Sequence, residues 1–314
     1  MSSEKGNSLP LLLHKKTIVI DVCYSYHRPA IGGMNKTSQR EDNSEKLIYI
    51  KMRRDVDTMK YQEVFKRKEI KYLLSEEQFE GLLPTLEKYL KVDAYGKSRI
   101  NNIYFDTPDY RLIQTSLEKP VYKEKLRLRT YGETVNNTNA FIEIKKKFDG
   151  IVYKRRISAP YSEAIKYMTG QREKLEESQI AEEIASFIDY YQNLRPAMII
   201  GYDRVAMAGI EDKNLRVTFD TNITWRTDAI DLRAGSYGKQ IIEEGQCLME
   251  LKVKDAIPLE IVRKMNELGI YQISFSKYGR AYVSMVTESA ARVVAAADTQ
   301  TVHHRNQKGE VAYA

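Results

Sequence analysis

Residues 123–129 read KEKLRLR, which sets Lys123, Lys125, Arg127 and Arg129 at every second position with Leu126 and Leu128 among them. Alternate residues of a β-strand share a face, so this spacing stacks four cations on one side and the leucines on the other. Like charges in a row repel one another unless something anionic lies against them. The chemistry open to such a row is to grip a polyanion and neutralise the charge that develops on it.

The pattern recurs. FIEIKKKF places Phe141, Glu143, Lys145 and Lys147 on one face, with Ile142 and Ile144 opposite. MELKVK groups Glu250, Lys252 and Lys254 against Met249, Leu251 and Val253. KRKEIKYLL aligns Arg67, Glu69 and Lys71 against Ile70, and Lys154 shares a face with Arg156. Any one of these strands also fits the solvated side of a half-buried sheet. Together they are overwhelmingly cationic, with one carboxylate per strand in the spellings E-I-K and E-L-K. Turned inward in a closed antiparallel barrel, such faces line a tunnel of focused positive potential, and a phosphate chain is the guest that fits. The carboxylates then either pair with the cations or hold a divalent metal that also touches the phosphates. Both readings stand for Glu250, Glu69 and Glu143. Mg²⁺ or Mn²⁺ suits oxygen ligands, whereas zinc lacks its Cys and His clusters.

Positioning these faces falls to strands expected at 62–73, 99–105, 121–131, 139–147, 151–158, 197–208, 214–223, 241–244 and 246–254. Phe148-Asp149-Gly150 separates two charged alternating runs and reads as a hairpin. Ser75 and Gln78 have capping-box spacing at the head of one helix. Ser178 opens a second, whose Ile180, Ile184, Phe187, Ile188 and Tyr191 share a face. A third spans PLEIVRKMNELG with Gly269 as its C′ residue, and a fourth covers about 278–293. Antiparallel strands with a few packed helices make an α+β fold, here a closed antiparallel β-barrel tunnel.

The 314 residues are 42% hydrophobic and 30% charged with a formal charge of +7, an ordinary globular balance. No apolar run reaches membrane-span length, so the chain reads as soluble and cytoplasmic. Cys23 and Cys247 make neither a disulfide framework nor a zinc site. Residues 1–58 read as a poorly ordered extension or a start placed too far upstream, 59–293 as the folded unit, and 294–314 as a flexible tail. His14, His27, His303 and His304 all fall in those extensions, so none is a candidate base. The cations lie beside carboxylates rather than among stacking aromatics, which argues against nucleic acid. Among the 22 tyrosines, Tyr104, Tyr122, Tyr153 and Tyr202 are read as wall packing.

From Met59 to about Thr287 the chain resembles the polyphosphate polymerase domain of the vacuolar transporter chaperone family, a branch of the triphosphate tunnel metalloenzymes. The stretches that carry the resemblance are KRKEIKYLL, NNIYFDTPDY, SLEKPVYKEKLRLRTYG, FIEIKKKFDGIVYKRR, MIIGYDRVAM, LRVTFDTNI, CLMELKVK and SFSKYGRAY. The resemblance implies an ATP-dependent polyphosphate polymerase with ATP and inorganic polyphosphate as partners and Mn²⁺ or Mg²⁺ as cofactor. It implies Lys71, Arg127, Arg129, Lys145 and Arg204 as catalytic residues. Lys119, Lys123, Lys125, Lys154, Lys252, Ser276 and Lys277 become phosphate-binding, and Glu250 the metal ligand, with Glu69 and Glu143 as further metal candidates. Arg67 stands where the cyclase-like branch has a first glutamate, which favours the polymerase branch.

Two departures matter. Ser116 and Ser274 occupy positions where the resemblance leads one to expect cations, and Lys123 and Lys125 are the residues able to compensate. A triphosphate or nucleoside triphosphate hydrolase, and a polyphosphate-binding module without turnover, therefore stay open beside the polymerase. The amino-terminal regulatory domain and carboxy-terminal membrane helices of the eukaryotic proteins are not carried over to this sequence.

Overall fold

The computed structural model describes residues 68–149 and 151–308, with side chains described through Val293. The readings on residues 1–67, Arg67 among them, on Gly150, and on the side chains of His303 and His304 lie outside the described residues.

Strands β1 (Lys68–Leu74), β2 (Leu90–Asp106), β3 (Tyr122–Tyr131), β4 (Asn139–Phe148), β5 (Ile151–Pro160), β6 (Arg195–Gly209), β7 (Arg216–Arg226), β8 (Lys239–Gln240) and β9 (Cys247–Val253) form one sheet. All its pairings are antiparallel, in the order β1-β9-β7-β6-β2-β3-β4-β5, with β8 beside β7. Helices α1 (Glu76–Glu87), α2 (Arg111–Leu117), α3 (Tyr161–Met168), α4 (Gln179–Tyr191), α5 (Leu259–Glu267) and α6 (Lys277–Lys308) complete the fold. The Ser75–Gln78 capping box closes the N-terminus of α1 in both directions. Gly269 follows α5 at φ 64°, a left-handed conformation that glycine adopts without a Cβ penalty. The fourth expected helix is longer than its periodicity indicated, running to Lys308.

Period-2 alternation decides which face of the sheet the helices cover. Leu126, Leu128, Ile142 and Ile144 are fully buried against Tyr161 and Ala164 of α3 and Ile184 and Phe187 of α4. Val217, Phe219, Met249 and Leu251 pack against Leu82 and Leu86 of α1 and Ile261 and Met265 of α5. Each such side chain contributes about 1.5–3 kcal/mol of burial. That commitment fixes the strand phase and leaves Lys125, Arg127, Glu143 and Glu250 on the other face. Residue Asn222, at φ 49°, marks a bulge in the β6–β7 pairing that resets the alternation. Asp220, next to the core residue Phe219, faces the cations, and past the bulge Ile223 and Trp225 join Tyr202, Phe275 and Tyr278 in a third core beside α6.

The closed barrel expected from the sequence is corrected: β1 and β5 end the pairing order, and no ladder joins them among the described residues. The sheet does curl, because Glu69 of β1 comes within 3.9 Å of Lys145 of β4. The outer edge of β1 is met instead by the segment that leads into α6. Ile273 N donates to Lys71 O at 2.8 Å, and Lys71 Nζ donates to Phe275 O at 3.1 Å. Strand β5 carries exposed Lys154, Arg155 and Arg156 on both faces, a charge pattern that keeps an edge strand unpaired.

Candidate functional site

Two charged clusters occupy the inner face, each built around buried carboxylate. In the first, Glu143 of β4 is 1% exposed. Arg127, its register partner on β3, grips one carboxylate oxygen through Nε at 2.8 Å and Nη2 at 2.7 Å. Lys154 from β5 takes the other oxygen at 2.6 Å, and Arg129 Nε lies 3.8 Å away. Burial alone would raise the Glu143 carboxyl, but Arg127, Arg129 and Lys154 outweigh it and hold it down at about 2. Arg127 also donates to the Tyr104 hydroxyl, and Arg129 donates to Asn102 Oδ1 and the Tyr202 hydroxyl.

The second cluster centres on Asp220 and Glu250. Arg204 of β6, opposite Asp220 in the ladder, makes a two-pronged contact at 2.6 and 2.7 Å. Lys277, the first residue of α6, bonds the same carboxylate and lies 3.4 Å from Glu250. Lys71 stands between Glu250 at 3.2 Å and Glu69 at 3.6 Å. Burial opposes charge here too, yet Lys277, Lys71 and Arg204 hold Glu250 well below the usual carboxylate range. Asp220 is likewise depressed against its burial by Lys277 and Arg204. Burial opposes the Lys277 ammonium, but Asp220 and Glu250 prevail and raise it.

Between the clusters stand Lys125 and Lys145, opposite each other in the β3–β4 register, with Lys154 next in line on β5. Desolvation is the largest influence on each of the three and lowers its ammonium, to about 7 for Lys125 and about 8 for Lys154. Ser276 caps α6 through a bond from Gly279 N at 3.1 Å and accepts Lys125 Nζ at 2.9 Å. Lys123 reaches the Ser116 carbonyl at 3.1 Å. Lys252 lies beside Glu69 in the β1–β9 register and helps to hold both Glu69 and Glu250 low. Lys119 is exposed and Ser274 is exposed; neither reaches the clusters, although the Lys119 charge depresses Lys123.

The structure thus brings together Lys71, Arg127, Arg129, Lys145, Lys154, Arg204, Lys252, Lys277, Ser276, Glu69, Glu143 and Glu250 on one curled face. It leaves Lys119 at the margin. Sequence reasoning missed Asp220, which sits inside LRVTFDTNI, and gave Tyr104 and Tyr202 only a packing role. A useful signal was available: Arg204 and Lys277 needed a carboxylate that Glu250 alone does not supply. Also missed was Asp106, fully buried at the end of β2. It accepts bonds from Thr107 N, Leu112 N and Ile113 N and from the Tyr278 hydroxyl at 2.8 Å, tying α2 and α6 to the sheet. We expect Tyr278→Phe to cost about 1–3 kcal/mol by leaving this buried acceptor short of a donor, read as a lower urea midpoint. Lys277 and Ser276, its neighbours, should lose position with it.

Among the described residues no three His, Cys, Asp or Glu side chains converge as a ready-made metal cage. Glu250 with Glu69 nevertheless offers hard oxygen donors, currently satisfied by Lys71, Lys277 and Arg204. That donor set fits Mg²⁺ or Mn²⁺, which keep waters and substrate oxygens in their shells and need few protein ligands. Glu143 is enclosed by three cations and offers no second carboxylate. Open pockets of about 380 and 620 Å³, lined by residues that include Arg99 and Arg233 in one and Trp225 and Arg292 in the other, contain none of the clustered site residues. Among the described residues no helix is long and apolar enough to cross a membrane.

Comparison with known proteins gives the arrangement its kin. Over 204 residues the chain is 24% identical to vacuolar transporter chaperone complex subunit 4 of Schizosaccharomyces pombe, covering 56% of this chain. The match spans 28% of that relative's length. Among solved structures, a candidate adenylate cyclase of Bacillus halodurans aligns at 13% identity and TM-score 0.43, covering 67% of this chain and 95% of its own. A candidate adenylyl cyclase of Hippeastrum, described as having a dominant triphosphatase activity, aligns at 17% identity and TM-score 0.40, covering 68% and 94%. A family model for the VTC domain matches residues 66–286, and the chain belongs to the VTC domain family.

Proposed function

We propose that this chain is an ATP-dependent polyphosphate polymerase. The observation that carries the reading is the single curled face on which Arg127, Arg129, Lys145, Lys71, Arg204 and Lys277 converge, held in place by Glu143, Asp220 and Glu250. A face of this kind suits phosphoryl transfer, which asks for positioning and charge neutralisation rather than a covalent nucleophile.

In this reading Arg127, Arg129 and Lys145 cradle the triphosphate of ATP, with Tyr104, Tyr202 and Asn102 fixing the guanidinium planes. Lys71 and Arg204 orient the reacting groups. Lys154, Lys252, Lys277 and Ser276 hold the phosphates of the chain. An oxygen of the chain's terminal phosphate attacks the γ-phosphorus, the bond from that phosphorus to the β-bridging oxygen breaks, and ADP leaves with the electron pair. The chain grows by one phosphate, and the cations offset charge spread over the transferred oxygens. A divalent ion held by Glu250, with Glu69 beside it, would neutralise further phosphate charge when bound. Glu143 serves as the counter-ion that aims Arg127.

The test is incubation with γ-labelled ATP and Mn²⁺, followed by gel separation by chain length. A ladder of labelled long chains that disappears in Glu250→Gln is the expected result. Labelled orthophosphate alone would identify a triphosphatase, and binding of polyphosphate without turnover a receptor.

A further inference from the structure

The cations of the inner face differ in their partners. Arg127 and Lys154 hold Glu143, Lys71 lies between Glu69 and Glu250, and Arg204 and Lys277 share Asp220. Among the described residues Lys123 and Lys125 make no ion pair; they rest on the Ser116 carbonyl and the Ser276 hydroxyl. Lys125 is faced by Lys145 from β4, Lys71 from β1, Lys123 and Arg127 from its own strand, and the Tyr278 ring at 6.0 Å from α6. Lys123 faces Lys147 across the ladder and feels Lys119. At this corner Lys123, Lys125, Lys145 and Lys147 stand on neighbouring strands, and Lys123 and Lys125 are held by neutral oxygens.

Two phosphoryl ligands differ in what they bring to such a corner. A triphosphate with a divalent ion carries its own cation and needs carboxylates near it, which the Glu69–Glu250–Asp220 side supplies. A metal-free terminal phosphate is close to a dianion at neutral pH and needs cations with no carboxylate competing for them. Building on the polymerase reading, we propose that Lys123, Lys125 and Ser276 form the acceptor subsite, which takes the metal-free terminal phosphate of a chain, or orthophosphate when a chain begins. The Ser276 hydroxyl already accepts from Lys125 and from Gly279 N, so its proton is free to donate to a phosphate oxygen. Burial and the surrounding cations leave Lys125 only partly protonated above pH of about 7. A dianion placed beside it restores the ammonium, and filling the subsite therefore takes up a proton.

Calorimetric titration of the full chain with tripolyphosphate, and separately with orthophosphate, without metal and at mildly alkaline pH, tests this. Running each in two buffers of different ionisation enthalpy counts protons. Lys125→Met should bind tripolyphosphate about tenfold more weakly and lose the proton uptake, since one charge-assisted donor is gone. Lys125→Arg should restore affinity without proton uptake, which a merely structural role for Lys125 does not give. Weakening of both ligands supports a subsite for either source of terminal phosphate; weakening of tripolyphosphate alone supports the chain end as its occupant. In chain synthesis, Lys125→Met should raise KM for a tripolyphosphate primer more than KM for ATP. Unchanged tripolyphosphate affinity, or a rise in KM for ATP only, overturns the assignment. The calorimetric arm needs no turnover, so binding through Lys125 in a chain that makes no polymer would sink the polymerase reading and leave the subsite standing.

Discussion

Asp220→Ala should lower the thermal midpoint by roughly 10 °C, the largest stability loss expected of any single change on the inner face. Asp220 is fully buried and compensates Arg204 and Lys277 together. Removing one member of a buried ion cluster strands the others, a loss of about 3–5 kcal/mol, whereas the intact cluster itself adds little net stability. Asp220→Asn should lose much of the same stability, because an amide keeps the shape but not the charge. The pH dependence has a definite sign. The native Asp220 carboxyl is depressed by Lys277 and Arg204 despite burial, so its contribution is present above the unfolded carboxylate pKa of about 3.9 and is lost as pH falls through the lower native value. Thermal melts from pH 7 downward should show the wild type and Asp220→Ala converging in acid. Curves that stay parallel throughout would show that the carboxylate charge is not what holds the cluster.

For Arg127→Ala the expectation is a fall in ATP-dependent chain synthesis on the order of a hundredfold, about 3 kcal/mol in the barrier. Arg127 is the residue that would join the Glu143 cluster to the proposed triphosphate cradle, with Nε and Nη2 on the carboxylate and Nη1 directed to Tyr104. Arg127→Lys keeps the charge and loses the planar fork, so it should fall between the two. Glu143 would still hold Lys154, and a melt close to wild type would separate lost chemistry from lost fold. Unchanged synthesis in Arg127→Ala would remove this residue from the cradle.

Much of the site was legible because burial and charge obey the same alternation. Once Leu126, Leu128, Ile142 and Ile144 must go to the core, the cations interleaved with them have only one face left. Closure of the sheet was not legible: strand pairing at a seam depends on what the chain elsewhere places there, and here Ile273 meets β1. Helices α2 and α3 escaped notice because neither spans more than 8 residues and neither N-cap side chain bonds its helix; Tyr110 heads α2 in a left-handed conformation and Pro160 heads α3. Alternation from Val217 and Phe219 does put Asp220 on the polar face; it escaped notice because no Lys or Arg stands two residues from it in β7, so the E-x-K spelling that marked the other charged faces is missing. Only the counting of charges, not the pattern of hydrophobes, could have singled it out.

The carboxylates already seated among the inner cations make this face behave like an ion-exchange resin supplied with its counter-ions bound. Glu143, Asp220 and Glu250 are tethered, so away from the Lys123–Lys125 corner an incoming anion does not fill an open charge; it must outcompete a partner that cannot diffuse away. Chloride or a single sulfate exchanges one contact at a time and loses to the tether. A long phosphate chain presents many charges on one backbone and exchanges several contacts in a single binding event, as a multivalent eluent does on a column. On the proposed reading, a preference for long chains over short ones would come from that valence, beside the end-recognising corner of Lys123, Lys125 and Ser276.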